Sequence, residues 1–176
     1  MTVDQKIKET IRDIPNFPKE GIIFKDITPI MQNPQLCKDI VDNIKNKVKD
    51  LNIQGVAGIE SRGFLIGMPL ALALNVPFIL IRKKGKLPYK TVSYKYDLEY
   101  GSAEIEMHTD AVTKNQNILL HDDLLATGGS ASAAAELIIG QGANVTAINF
   151  LVELSFLEGR DVINKFTSNI SSIVSY

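Results

Sequence analysis

The sequence predicts an α/β fold: a parallel-sheet core flanked by helices, with a small N-terminal hood and an antiparallel flap. Three observations carry this. Apolar runs of strand length alternate with helical stretches from residue 55 to residue 153. The strand runs are apolar at nearly every position, as in parallel sheets covered on both faces by crossover helices. Residues 91–107 differ: apolar and polar residues alternate there, as in half-exposed antiparallel strands.

Taken in order, Val3, Ile7, Ile11 and Ile14 fall on one stripe, which predicts a helix stopped by Pro15. NFPKEGIIFKDITPI follows, an irregular and partly apolar segment carrying Phe17, Phe24 and Ile27 that is suited to lie over something else. From Pro34 to Leu51 the stripe Leu36, Ile40, Val41, Ile44, Val48 and Leu51, with Lys and Asp opposite, predicts a helix. GVAGIE at 55–60 reads as a buried strand, FLIGMPLALAL as a helix and VPFILI at 76–81 as a second strand. TVSYKY and AEIEMH form the alternating pair, joined by DLEYGS, and such an excursion from a parallel sheet serves as a flap. KNQNILLHDD holds a strand ending at about residue 121, SASAAAELIIGQG a helix and ANVTAINFLVE a strand. No repeat, low-complexity tract or Ser/Gly linker divides the chain, so one domain is expected over residues 1–176.

Composition narrows the function by exclusion. With 19 Lys+Arg against 20 Asp+Glu, the chain has no global attraction for nucleic acid or an anionic membrane. Any anion must be held locally. The single cysteine, Cys37, excludes an internal disulfide framework and suits a reducing compartment. No apolar run reaches membrane-spanning length and MTVDQKIKET is polar, so a cytoplasmic protein without a signal peptide is expected.

The standard nucleotide fingerprints fail. There is no G-x-x-x-x-G-K-[ST]. GQG at 140–142 follows a helix and precedes a strand, the reverse of the dinucleotide-binding context, and reads as a helix cap and turn. The informative stretch is ILLHDDLLATGGS at 118–130. An apolar strand leads into Asp122 and Asp123, and a short apolar turn then delivers Ala126, Thr127, Gly128, Gly129 and Ser130 to the start of a helix. Free backbone N–H groups, two hydroxyls and the positive end of the helix dipole make a phosphate cradle without a lysine. Two carboxylates just ahead of it can accept hydrogen bonds from vicinal hydroxyls. Phosphate cradle plus diol acceptors suggests a ribose 5-phosphate; a solvated Asp pair beside a flexible turn is the plainer alternative.

This ordered string resembles the phosphoribosyl pyrophosphate signature of the type I phosphoribosyltransferases: apolar strand, two acids, two variable residues, then A-T-G-G-[ST]. FPKEGIIFKDITP, ESRGFLIG, IRKKGKLP, DLEYGSAEIE and LVELSFLEGR occur in the order and spacing of the adenine-specific family, and the resemblance runs from about residue 14 to 165. His121 departs from it, standing where the family usually carries an apolar residue; it reads as a structural variant without a catalytic role.

The resemblance implies transfer of phosphoribose from phosphoribosyl pyrophosphate to adenine, giving AMP and pyrophosphate, a step of purine salvage. It implies a 5′-phosphate seat at Ala126, Thr127, Gly128, Gly129 and Ser130, with the ribose hydroxyls on Asp122 and Asp123. Ser61 and Arg62 become the pyrophosphate loop, with a cis peptide between Glu60 and Ser61. Arg62 as a plain surface ion-pair partner is the lesser alternative. Arg82, Lys83 and Lys86, in a cluster with Lys84 and Gly85, read as a solvated face or an anion site; the resemblance favours pyrophosphate and places the cluster near a homodimer contact.

Residues 1–33 are implied to form the hood over the base, where Phe24 stacks on adenine, backbone groups near Ile23 and Lys25 read its edge, and Leu154 closes the other side. Taken alone, Phe24 reads as core. Residues 82–108 are implied to supply the cationic loop and flap, with Glu99 facing the base N7 and Tyr100 beside it as catalytic residues together with Arg62. No His, Cys or carboxylate spacing makes a metal cage, and His108 and His121 lie apart. Magnesium is therefore expected to arrive with phosphoribosyl pyrophosphate. A regulator that binds this substrate without catalysis is disfavoured, because no length or basic excess is left for a nucleic-acid module. A 6-oxopurine enzyme is disfavoured because ANVTAINFLVE has no lysine.

Overall fold

In the computed structural model, the described residues are 1–97 and 102–176. The chain opens with α1 (Val3–Thr10), β1 (Arg12–Pro15), β2 (Ile23–Asp26), α2 (Thr28–Met31) and α3 (Pro34–Val48). There follow β3 (Gly55–Ile59), α4 (Gly63–Leu74), β4 (Phe78–Lys83), β5 (Thr91–Asp97) and β6 (Ser102–His108). The last third holds β7 (Asn117–Leu125), α5 (Gly129–Gly140), β8 (Asn144–Glu153), a 3₁₀ turn at Ser155–Leu157, α6 (Gly159–Ile163) and β9 (Ile170–Ser175).

Seven strands form one sheet in the order β5-β6-β4-β3-β7-β8-β9. The five strands from β4 to β9 in that row are mutually parallel. Side chains alternate along these apolar strands and feed two cores. Ala57, Ile118, Leu120 and Ile148 pack with Ala133, Ala134 and Ile138 of α5 on one face. Val56, Leu119, Ala147 and Leu151 pack with Ile7, Ile40, Ile44 and Leu70 on the other. Two buried faces are why these strands carry no polar alternation.

Several boundaries differ from the sequence reading. The first helix stops at Thr10, and Arg12–Pro15 form a strand instead of its last turn. Ile11 is extended (φ −61°, ψ 135°), and the residue before Pro15 is biased the same way. Ile14 then lies opposite Phe24, and Lys25 reaches Asp13 at 2.7 Å, so the supposedly irregular segment becomes a separate two-stranded sheet.

The strand expected to end near residue 121 runs on to Leu125, because β8 stays beside it through Leu124↔Val152 and Leu125↔Glu153. β6 joins the main sheet through Arg82↔Glu106 and Lys83↔Ile105. Ile105, Glu106 and Met107 are all buried, which breaks the expected alternation. Ile105 and Met107 enter the core, while Glu106 Oε1 on the other side accepts the N–H groups of Lys86 (3.0 Å) and Leu87 (2.9 Å). β9 and α6 had no clear periodic signal.

Candidate active site

A cavity of 390 Å³ opens at the carboxyl ends of β3 and β7, where parallel sheets gather their ligands. Residues 59–62, Lys83 and residues 122–131 line it. Its floor is the turn from Ala126 to Gly128, which ends β7 and starts α5. Gly128 has φ +85°, a left-handed conformation that a side chain would strain. The first amides of α5 have no intrahelical acceptor and stand at the positive end of its dipole.

That turn is held from behind by backbone contact. A Cβ on Gly159 would lie 2.1 Å from the Ala126 carbonyl oxygen, and one on Gly128 would lie 2.6 Å from the Gly159 oxygen. Gly159 is fixed in turn by its neighbour: Arg160 donates from Nε to Glu153 Oε1 at 3.0 Å and from Nη1 to the Ile170 carbonyl at 3.1 Å. Ser172 Oγ adds a short hydrogen bond to Glu153.

Asp122 and Asp123 lie within β7, ahead of the turn. Asp122 Oδ1 accepts the Asp123 N–H at 2.9 Å. Burial, and then the neighbouring Asp123 carboxylate, push the Asp122 carboxyl well above its usual range. Burial also raises Asp123, opposed by the Arg62 guanidinium. Arg62 Nε lies 2.8 Å from Asp123 Oδ2. The contact is an ion pair without hydrogen-bond alignment, so buried Oδ2 keeps acceptor capacity.

Arg62 caps α4 and follows Ser61, which shares a cis peptide with Glu60. Its guanidinium carbon also stands 5.2 Å from the centre of the Phe24 ring, so it bridges the Asp pair and the N-terminal sheet. The cationic cluster is divided. Lys83 lines the cavity. Arg82 is engaged elsewhere: Glu60 takes its Nε at 3.2 Å and Nη2 at 3.1 Å, and its Nη1 donates to the Lys86 carbonyl. The hydrogen bonds from Arg82 hold Glu60 below its usual range. Lys86 is exposed and stands outside the described lining.

The expected base-site residues also stand outside that lining. Phe24 is half-buried with Phe17 edge-on at 5.2 Å, and Ile23 is exposed. The Lys25 amine pairs with Asp13 and sits 3.9 Å from the centre of the Tyr176 ring. Leu154 begins the 3₁₀ turn and packs on the core. Arg62 is what joins Phe24 to the cavity. Glu99 and Tyr100 lie outside the described residues. His121 is fully buried beside Asn149, with Nδ1 at 3.1 Å from Asn149 Oδ1, and burial lowers it to about 4. It stands outside the described cavity lining.

Two contacts had no signal in the sequence. Tyr96 on β5 places its hydroxyl 3.2 Å from Ser130 Oγ. Gly159 seats against the phosphate turn from more than thirty residues further along the chain.

Comparison with known proteins agrees with this geometry. The family model described as phosphoribosyl transferase domain matches residues 26–174. An adenine phosphoribosyltransferase from Cytophaga hutchinsonii is 49% identical over 174 residues, 99% of this chain and 96% of that protein. Its counterpart from Clostridium tetani is 49% identical over 170 residues, 97% and 98% of the two chains. The crystal structure of adenine phosphoribosyltransferase from Thermoanaerobacter pseudethanolicus superposes with a TM-score of 0.95 at 43% identity, covering 99% of this chain and 100% of that one. The Saccharomyces cerevisiae enzyme, solved with adenine and an imino-altritol bisphosphate, gives 0.91 at 39% identity, covering 98% of each chain. With a matching domain model, near-full-length identity and the same parallel-sheet architecture, the chain belongs to the adenine phosphoribosyltransferase family.

Proposed function

We propose that the chain transfers the 5-phosphoribosyl group from phosphoribosyl pyrophosphate to adenine, yielding AMP and pyrophosphate. One observation carries the reading: a single cavity joins the glycine turn at the start of α5, the half-buried Asp122 and buried Asp123, and the Ser61–Arg62 loop. In the reaction, the bond from C1′ to the pyrophosphate oxygen breaks and a bond from C1′ to adenine N9 forms. Adenine attacks from N9 as its N7–H tautomer and gives up the N7 proton.

Residues 126–130 hold the 5′-phosphate through first-turn amides and the hydroxyls of Thr127 and Ser130. Asp123 Oδ2, buried and without an aligned donor among the described residues, accepts from a ribose hydroxyl, and Asp122 accepts from its neighbour. Ser61, Arg62 and Lys83 hold the pyrophosphate. Arg82 acts through Glu60, whose carboxylate also takes the Lys83 N–H at 2.9 Å, and so sets the course of the cationic loop; Lys86 meets the ligand only from a rearranged loop. Phe24 stacks on the base, with Ile23 and Lys25 beside its edge and Leu154 beyond it. Glu99 exchanges the base proton, and Tyr100 helps close the site against water.

Among the described residues no three His, Cys, Asp or Glu side chains gather as a metal cage. The hard oxygens of Asp122 and Asp123, set beside the phosphate seats, suit magnesium carried in on phosphoribosyl pyrophosphate. Held there, magnesium would offset charge on the pyrophosphate. A homodimer is supported by α4, which is apolar on every face and leaves Leu65, Met68 and Leu72 exposed. A cytoplasmic location is supported by the lone Cys37; among the described residues no helix is long and apolar enough to cross a membrane.

Assay of the purified protein with adenine, hypoxanthine, guanine and xanthine in parallel tests the reading. AMP formation from adenine with about 10⁴-fold rejection of the 6-oxopurines is expected, because their N1–H and 6-oxo groups reverse the hydrogen bonds at a buried edge. Comparable turnover of hypoxanthine would overturn the base assignment.

A further inference from the structure

Ser130 is the second residue of α5 and lines the cavity. Its Oγ is 3.2 Å from the phenolic oxygen of Tyr96. The Tyr96 ring also covers the start of α5, at 3.8 Å from where a Cβ on Gly129 would stand. Tyr96 itself is half-buried, packs against the core and stands outside the described cavity lining.

We propose that Tyr96 is a positioning residue for the 5′-phosphate, acting through Ser130, and that it ties the antiparallel ribbon to the phosphate turn. This rests on residues 126–130 being the phosphate seat. A serine hydroxyl has one proton to donate and two lone pairs. Facing a phosphate oxygen, an acceptor only, Ser130 must donate that proton to the ligand. It can then only accept from Tyr96. The phenol supplies the donor, and the chain from Tyr96 through Ser130 to phosphate runs in one direction. Each bond in such a chain polarises the next, so the phenol strengthens a contact it does not itself make.

The test is a double-mutant cycle on Tyr96→Phe and Ser130→Ala, read as the dissociation constant for ribose 5-phosphate. Phe keeps the ring over Gly129 and removes only the hydroxyl. Tyr96→Phe should weaken ribose 5-phosphate roughly 3- to 10-fold, the scale of one neutral hydrogen bond. The Michaelis constant for adenine should stay unchanged. In the Ser130→Ala background the same change should have no effect. Equal losses in both backgrounds, or no loss in either, overturn the proposal while leaving the phosphate seat intact. Wild-type protein that binds ribose 5-phosphate no better than ribose overturns the seat, and the proposal with it.

Discussion

Arg62 Nε lies 2.8 Å from Asp123 Oδ2, where the Ser61–Arg62 loop meets the acid pair of β7. Without ligand the guanidinium is neutralised by a carboxylate that has its own ligand to bind. On the proposed roles the two are coupled: an anion that drew on Arg62 would free Asp123 for a hydroxyl. Phe24, 5.2 Å from the same guanidinium, is linked to the same event.

Arg62→Ala should therefore weaken phosphoribosyl pyrophosphate by roughly 10- to 100-fold, the scale of a lost charge-assisted hydrogen bond at about 1.5–3 kcal/mol. Isothermal titration reads this directly. Phe24→Ala is the companion, weakening adenine while leaving phosphoribosyl pyrophosphate nearly unchanged. Unaltered affinity in Arg62→Ala would remove Arg62 from the pyrophosphate site.

The acid pair makes a prediction about stability as well as binding. The Asp122 carboxyl is raised in the folded protein, first by burial and then by Asp123. A carboxyl raised on folding binds protons more tightly in the native state, so it lowers stability as pH climbs above the unfolded value of 3.8. Asp122→Asn should then raise the unfolding temperature at neutral pH, with the gain shrinking toward pH 4. The double change of Asp122 and Asp123 to Asn should keep the fold and lose tight binding of phosphoribosyl pyrophosphate and AMP. Scanning calorimetry against pH, paired with ligand titration, checks both; a collapsed fold would mark the pair as structural.

His121 has the opposite sign. Burial lowers it from 6.5 to about 4, so the unfolded chain takes up its proton first as pH falls. Stability should be fully present above about pH 6.5 and drain away down to about pH 4, by on the order of 3 kcal/mol at most. His121→Gln keeps a donor for Asn149 but does not titrate. Its stability should change less between pH 6.5 and 4 than that of the wild type, whatever its absolute value. Equal losses of urea-derived stability in the two proteins between the two pH values would show that His121 binds its proton as well in the native state as in the unfolded one.

The parallel core was legible because its strands are apolar on both faces, a pattern that few other arrangements require. The turn from β7 into α5 was legible because Asp-Asp and Thr-Gly-Gly-Ser are local chemistry, set down in one short stretch. What was not legible depended on partners distant in sequence. Pro15 reads as a helix stop, yet the helix had already given way at Ile11 to a strand whose partner begins at Ile23. Nothing local says that β7 continues past Asp122; the backbone of β8 decides it. Arg82 looks like a free cation in the string Arg-Lys-Lys-Gly-Lys until Glu60, twenty-two residues earlier, engages it. Tyr96 and Ser130 meet only because the ribbon packs on α5.

Gly159 offers the sharpest test of how the phosphate turn is held. Its Cα faces the backbone of that turn, and an added Cβ would stand 2.1 Å from the Ala126 oxygen and 3.0 Å from the Gly128 nitrogen. Neither atom can swing aside as a side chain would. The turn must shift, or α6 must lift away from its Arg160–Glu153 anchor. Overpacking of this kind costs about 1–3 kcal/mol of stability. The turn carries the amides proposed to meet phosphate, so the displacement should also appear as a raised dissociation constant for ribose 5-phosphate. Gly140 provides the control: it ends the same helix α5, has nothing within 4 Å of an added Cβ and keeps an ordinary φ. Gly140→Ala should leave binding untouched and add up to about 1 kcal/mol of stability by restricting the unfolded chain. The discriminating result is a loss of both stability and ribose 5-phosphate affinity in Gly159→Ala alone. If Gly159→Ala loses stability but binds ribose 5-phosphate as the wild type does, the strain is absorbed in α6, and the turn is held by its own helix rather than from behind.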